Sequence, residues 1–373
     1  MHELIVAPFL GDYYVLRPGS AKGIKIPAHR YLELRQVVTT GGEVPGWLCR
    51  PVLRQWALDL ASTRADAGLL VRDPSPYGLG RASYELNLGC NYACKHCYLG
   101  LKEFAGLEWN QREKLLYVLR DAGVVWLQIT GGEPTIDRHF AAVHSLAYEL
   151  GMVIEVLTNG SRLHNPLLLD LFTSRRPYRL TLSVYGATEE TYDGLTQRRG
   201  SWSHFVRGLN AAHEAGLPLE LTVIVTEDNV HEVEAMHELG KRYGAVTREY
   251  TQMSPTIYGG AESLSSQATA YLRERKPFTG CDAGHTSVHV DPHGMASVCK
   301  VSRDHPISLV TEGVAGLARL GELADRALGR QGGCAGCTLS KSCSTCMPLA
   351  ALYRKAGAPL TRYCQHTETA GRR

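Results

Sequence analysis

The sequence lacks any apolar run approaching the roughly 20 residues that span a bilayer, which excludes a transmembrane helix and any expectation of a membrane partner. Its beginning, MHELIVAPFLGDYY, lacks the basic flank, apolar stretch and small-residue cleavage site of a signal peptide, so a cytoplasmic protein is expected. It also lacks an excess of either charge. Forty Lys and Arg against 37 Asp and Glu leave +3, with no basic stripe, and nucleic acid is not expected as a partner. A hydrophobic fraction of 44% and a charged fraction of 21% exclude wholesale disorder and low-complexity architectures. What is plentiful is cysteine. In a reducing compartment, eleven cysteines argue for metal or redox-cofactor ligation over a disulfide framework.

At about 150 residues per domain, 373 residues suggest two or three folded units. Residues 1–80 read as a small α+β unit: apolar alternation between Leu4 and Leu16 predicts strands, and helical spacing recurs from Tyr31 to Val38 and from Val52 to Leu60. Pro74, Pro76, Gly78 and Gly80 punctuate a linker. From Ala82 a strand-then-helix texture takes over. Strands are predicted at 84–88, 124–129, 153–157, 179–184, 219–225 and 247–252, separated by helical stretches at 111–121, 140–150, 203–215 and 230–243. The pattern predicts an α/β fold, a partial (β/α)6 TIM-like barrel over 81–265, with ligands at the carboxyl ends of its parallel strands. Residues 266–373 are expected to form a cysteine-rich unit whose short runs, poor in hydrophobic residues, need a metal to supply a core.

Cys90, Cys94 and Cys97 give the spacing C-x3-C-x2-C on the loop after the first predicted barrel strand. A structural zinc site takes four ligands, and no further cysteine follows until Cys281, although His96 could serve. A 4Fe-4S cluster held by three cysteines leaves one iron free for a substrate or cosubstrate. With this spacing the sequence resembles the radical S-adenosylmethionine (SAM) enzymes, over roughly 81–364. The resemblance implies that the free iron chelates SAM and that an electron cleaves SAM to a 5′-deoxyadenosyl radical, which abstracts a substrate hydrogen. Thr130-Gly131-Gly132-Glu133-Pro134 looks like the family's GGEP segment, which binds the SAM amino group; its glycines allow close backbone approach and Glu133 offers an acceptor. By the same resemblance Asn159 and Ser183, at the ends of the third and fourth strands, face the SAM ribose and carboxylate. A left-handed turn is the other reading of Asn159-Gly160. Arg198 or Arg199 would pair with the methionine carboxylate, unless both are solvated. His96 stands where the family often has an aromatic residue near adenine, with Tyr98 following.

The remaining seven cysteines run C-x17-C and then C-x2-C-x5-C-x2-C, with a final cysteine after 17 more residues. This is similar to the SPASM-type auxiliary domain of peptide-modifying radical SAM enzymes, including its Gly-x4-Cys element at Gly294 and Cys299; the spacing from Cys343 to Cys346 is one residue shorter than usual. The resemblance implies two auxiliary 4Fe-4S clusters, three in all. Cys334, Cys337, Cys343 and Cys364 would hold one, and Cys281, Cys299 and Cys346 the other, with the fourth position open or filled by Asp282. A zinc ribbon on Cys334, Cys337, Cys343 and Cys346 is the alternative.

Residues 1–80 are similar to the winged-helix-like recognition element of maturases of ribosomally made peptides (RiPPs), which adds the precursor's leader as a strand at a sheet edge. An unrelated capping domain is the other reading, and Cys49 reads as a small buried hydrophobe. The function expected is that of a radical SAM oxidoreductase that abstracts a hydrogen from a precursor peptide and installs an intramolecular cross-link, served by an electron donor such as flavodoxin or ferredoxin. The alternatives are a sulfatase-maturing-type formylglycine dehydrogenase, a small-molecule radical SAM dehydrogenase and a non-catalytic leader-binding or electron-transfer protein. Sulfatase-maturing relatives carry an Asp beside an auxiliary-cluster cysteine as the proposed base, whereas here Lys300 follows Cys299 and Asp282 follows Cys281. Asp282, Lys300 and Tyr185 are the candidate catalytic side chains.

Overall fold

In the computed structural model, which describes residues 2–100, 102–272, 276–331 and 334–364, the chain forms two sheets. The first has the order β3-β2-β1-β4, built from β1 (Leu4–Phe9), β2 (Asp12–Leu16), β3 (Gly23–Ile26) and β4 (Leu69–Val71). The β1–β2 hairpin turns at Leu10 and Gly11, both at positive φ (49° and 85°), the backbone that a two-residue turn between right-twisted strands requires. Leu4 and Val6 face the helices Ala28–Thr40 and Gly46–Trp56, in a core with Tyr31, Leu34, Leu48 and Val52. Ile5 and Ala7 face the other way, against Val125 and Val153 of the second sheet. With both faces covered, β1 reads LIVAPF with no polar residue. Arg72 ties the two sheets together: its guanidinium donates to the carbonyls of Val124 (2.9 Å), Gly151 (3.1 Å) and Arg120 (2.8 Å).

The second sheet has nine strands in the order β10-β9-β8-β7-β6-β5-β11-β12-β13. Strands β5 (Arg81–Glu85), β6 (Trp126–Thr130), β7 (Val153–Thr158), β8 (Arg179–Val184), β9 (Leu219–Ile224) and β10 (Val246–Tyr250) are parallel, with helices crossing between them. All six coincide with predicted strands, the first with a shift. Leu86 to Leu88 leave the sheet for a buried loop, where the Asn87 carbonyl accepts from Gly132 N–H at 2.9 Å, so their burial comes from loop packing rather than strand pairing.

The sheet does not end at residue 265. Strand β11 (Ser287–Val290) pairs parallel with β5, and β12 (Met295–Ser297) and β13 (Ile307–Ser308) continue it antiparallel. Val288, Val290, Ala296, Val298 and Ile307 join the main core, so this part of the C-terminal region shares the hydrophobic core of the sheet. Residues 334–364 contribute a separate small cluster of Met347, Ala350, Tyr353 and Tyr363. No helix among the described residues is long and apolar enough to cross a membrane.

Strand periodicity divides the parallel sheet into two faces. Leu127, Ile129, Ile154, Val156, Leu180 and Leu182 pack in the core with residues of the crossing helices. The alternate positions are polar, among them Ser83, Gln128, Glu155, Thr181, Ser183 and Thr222, and they line two cavities.

Candidate active site

The first cavity, of about 400 Å³, lies at the carboxyl ends of β5 to β10. Cys90, Cys94 and Cys97 line one side of it, on a loop tied to the end of the helix Glu189–Thr196 by Ala93 N–H to the Thr196 carbonyl (2.9 Å) and Lys95 N–H to the Leu195 carbonyl (3.3 Å). Tyr92 N–H points at Cys90 Sγ (3.4 Å), and Lys102 Nζ donates to the Tyr92 carbonyl (3.0 Å). All eleven cysteines are free of disulfides. Burial, followed by the charges of Glu133 and Cys97, pushes the Cys90 thiol up to about 11; burial and the other two cysteines raise Cys94 further. Among the described residues no three His, Cys, Asp or Glu side chains stand ready to hold one metal ion; these thiols face a common space without meeting at a point. As a donor set they fit a thiophilic metal centre, which replaces the thiol protons that this environment retains.

Across the cavity stand Thr130, Gly131 and Gly132. A Cβ on Gly131 would lie 2.2 Å from the Asn87 carbonyl oxygen, and one on Gly132 2.1 Å from that of Gly89. The glycines therefore let this loop pack on the loop that carries the thiols, a reason distinct from ligand approach. Glu133 does not face the cavity as an acceptor. It is fully buried, and its carboxylate accepts from Thr135 N–H (3.0 Å), Thr135 Oγ1, Thr158 Oγ1 (2.7 Å) and Asn159 N–H (2.6 Å), clamping the end of β6 to that of β7. Pro134 is likewise buried and does not line the cavity. Asn159 combines both readings of its motif: it lines the cavity, while Gly160 takes the left-handed turn (φ 77°) and the Asn159 side chain accepts from Ser161 N–H (3.0 Å).

Ser183, His96, Tyr98, Tyr185 and Lys300 also line this cavity. The His96 and Tyr185 rings lie 5.3 Å apart, and burial lowers His96 to about 4, leaving it neutral at pH 7. Arg198 and Arg199 stand outside, exposed on a turn gathered by Asp193, whose carboxylate accepts from Ser201 Oγ (2.7 Å) and Trp202 N–H (2.9 Å). Asp282 is exposed too, in a turn where its carbonyl accepts from His285 N–H (3.0 Å) and Thr286 N–H (2.9 Å). Sequence reasoning missed Lys102, although its place five residues after Cys97 was a signal, and Thr222, Tyr250 and Met253, which reach the same space from later strands.

Of the C-terminal cysteines, Cys281, Cys299 and Cys346 are neighbours: burial raises the thiols of Cys299 and Cys346, and the nearby Cys281 adds to both. Ala283 N–H points at Cys281 Sγ (3.4 Å), repeating the arrangement at Cys90. Cys334 Sγ lies 4.0 Å from Arg354 Nη1, Cys337 N–H meets the Cys334 carbonyl at 3.4 Å, the Cys343 carbonyl accepts from Phe278 N–H (2.7 Å), and Cys364 N–H donates to the Leu360 carbonyl (2.8 Å).

The second cavity, of about 670 Å³, opens at the strand starts, lined by Ala21 of the N-terminal unit, Ser83, Gln128, Glu155, Arg179 and His289. Glu155 and Arg179 there are paired with each other (2.8 Å). Glu85, at the end of β5, takes Arg303 at 2.8 and 2.9 Å and lies 3.5 Å from His289 Nε2. Burial alone would raise Glu85; these two partners outweigh it and hold the carboxyl at about 2. Lys300 lines this cavity as well as the first.

Residues 84–240 match the radical SAM superfamily. That stretch resembles a radical SAM domain. The chain is 26% identical over 189 residues to the AdoMet-dependent heme synthase of Methanosarcina barkeri (50% of this chain, 54% of that protein) and 30% identical over 180 residues to the mycofactocin maturase MftC of Mycobacterium ulcerans (48% of each). The chain spans about half the length of these curated relatives. Streptococcus suis SuiB, solved bound to precursor peptide SuiA, shares its fold with a TM-score of 0.57 at 13% identity, over 92% of this chain and 93% of SuiB. Radical SAM domains use SAM and a 4Fe-4S cluster, and the three-thiol loop of this one supplies donors of the matching chemistry.

Proposed function

We propose that the chain is a radical SAM maturase that removes a hydrogen atom from a ribosomally synthesised precursor peptide and closes an intramolecular cross-link in it. In this reading β5 to β10 form a partial barrel around the polar face, preceded by a winged-helix-like leader-recognition unit and followed by the auxiliary domain. Cys90, Cys94 and Cys97 would hold the SAM-binding cluster, Cys281, Cys299 and Cys346 one auxiliary cluster, and Cys334, Cys337, Cys343 and Cys364 the other. When bound, the first cluster and SAM supply the 5′-deoxyadenosyl radical that takes the substrate hydrogen. The chain itself orients and encloses. Thr130, Gly131, Gly132, Asn159 and Ser183 would bind SAM, while His96, Tyr98 and Tyr185 keep the first cavity apolar enough to exclude water. Glu133 fixes the spacing of the strand ends that carry these groups.

The observation that carries the peptide reading is the open edge of β3. That strand terminates the N-terminal sheet, and Ala21, two residues before it, lines the cavity at the strand starts. A leader paired along this edge would leave it at the mouth of that cavity, with main-chain hydrogen bonds supplying the affinity. The maturase MftC and the peptide-bound SuiB support the same reading. A flavodoxin or ferredoxin would supply electrons.

The test is anaerobic reconstitution with iron and sulfide counting, followed by mass spectrometry of a short peptide encoded beside the gene, incubated with SAM and a reductant. About twelve irons, 5′-deoxyadenosine release and a peptide lighter by about 2 Da are expected, one hydrogen taken by the 5′-deoxyadenosyl radical and the other leaving as a proton with its electron taken up by an auxiliary cluster. Heme formation with the peptide unchanged would favour the small-molecule alternative, to which the heme synthase is related.

A further inference from the structure

We infer that Lys300 is the anchor for a substrate carboxylate: the peptide segment that reaches the centre of the sheet presents an Asp or Glu side chain to this ammonium. The inference rests on the peptide reading above. Lys300 is the cation common to both cavities, so a substrate passing from the strand starts towards the thiol loop meets it. Its backbone is held in place, because Arg303 Nε donates to the Lys300 carbonyl (2.8 Å) while the same guanidinium grips Glu85 of β5.

Among the described residues the ammonium has no ion pair or hydrogen bond, and the carboxylates of the polar face are already taken. Glu85 has Arg303; Glu155 has Arg179 (2.8 Å), Gln128 (2.9 Å) and Thr181 (3.0 Å); Glu220 has Arg179 (2.9 Å) and Arg248 (3.0 Å). Among the described residues no carboxylate lines the first cavity, and the other ammonium there, Lys102, is committed to the Tyr92 carbonyl. Glu85 and Glu155 act on the half-buried ammonium only through space and are held by their own partners, so a ligand that brings an anion into direct contact recovers part of the cost of burying it. Two carboxylates can reach the first cavity, that of SAM and that of the peptide, and the experiment separates them.

The reconstituted enzyme with SAM is equilibrated with a randomised hexapeptide mixture, acetylated and amidated so that carboxylates occur only on side chains, and the bound fraction is sequenced by mass spectrometry. Asp and Glu should be enriched about tenfold over Asn and Gln at one position, the enrichment vanishing in Lys300→Met and staying within about threefold in Lys300→Arg. SAM affinity by equilibrium dialysis and the thermal midpoint are read on the same samples, with Lys300→Gln replacing the Met variant should the latter not fold. The proposal is overturned by wild-type enzyme that shows no acidic preference, or by a preference that survives removal of the ammonium. Weakened SAM binding with the preference intact assigns Lys300 to the SAM carboxylate and also overturns it. An unmodified precursor with the acidic preference intact would sink the cross-link and leave peptide binding through Lys300 standing, since hexapeptide capture needs no cross-link.

Discussion

At the carboxyl ends of β6 to β10 the polar face of the sheet carries thiols, glycine backbone and small hydroxyls, whereas towards the strand starts it carries Glu155 and Glu220 matched to Arg179 and Arg248, and Glu85, at the end of β5, is matched to Arg303. The first set has donors but few partners; the second is satisfied internally. Chemistry needs unspent groups, and shape needs spent ones. A sheet that separates them along its strands can hold its frame rigid at one end while a ligand completes the other.

The most severe way to break this division is at the unspent end. Cys94→Ala should lower 5′-deoxyadenosine release at least about a thousandfold and remove about four irons per chain, while Cys49→Ala, in the N-terminal core, changes neither. Among the matched groups, Glu85→Gln should cost about 3 kcal/mol at pH 7, read from guanidinium midpoints. The sign follows from a carboxyl held at about 2 instead of 4.5. Its contribution is complete above pH 4.5 and disappears as pH falls towards 2, so the gap between wild type and variant should close over that window. Gly132→Ala, which drives a Cβ onto the Gly89 carbonyl, should cost about 2 kcal/mol and weaken SAM binding by shifting the thiol loop. Least of all, Arg198→Ala should leave the SAM dissociation constant within about twofold, because the side chain is exposed and outside the cavity.

Which of these features could be read in advance depended on how local they are. The six parallel strands and their crossovers follow from periodicity within each segment, and the three-thiol loop follows from spacing alone. Strand β11 was invisible because it has four residues and its parallel partner β5 lies about 200 positions earlier. Its neighbour β12, only three residues long, hid for the same reason. The clamp made by Glu133 was not legible because the hydroxyl and amide that claim it belong to Thr158 and Asn159, some 25 residues on, at the end of a different strand. The motif shows which residues gather; only the fold shows which way each one turns.

The pairing of β5 with β11 also sets an order of events at birth. During translation β5 emerges about 200 residues before the strand that covers its second edge, an interval of roughly 10–40 s at usual elongation rates. Throughout that interval one side of β5 is an open template, and the thiol loop just beyond it is accessible from that side. The time the ribosome takes to reach residue 287 therefore sets how long this edge must stay unpaired.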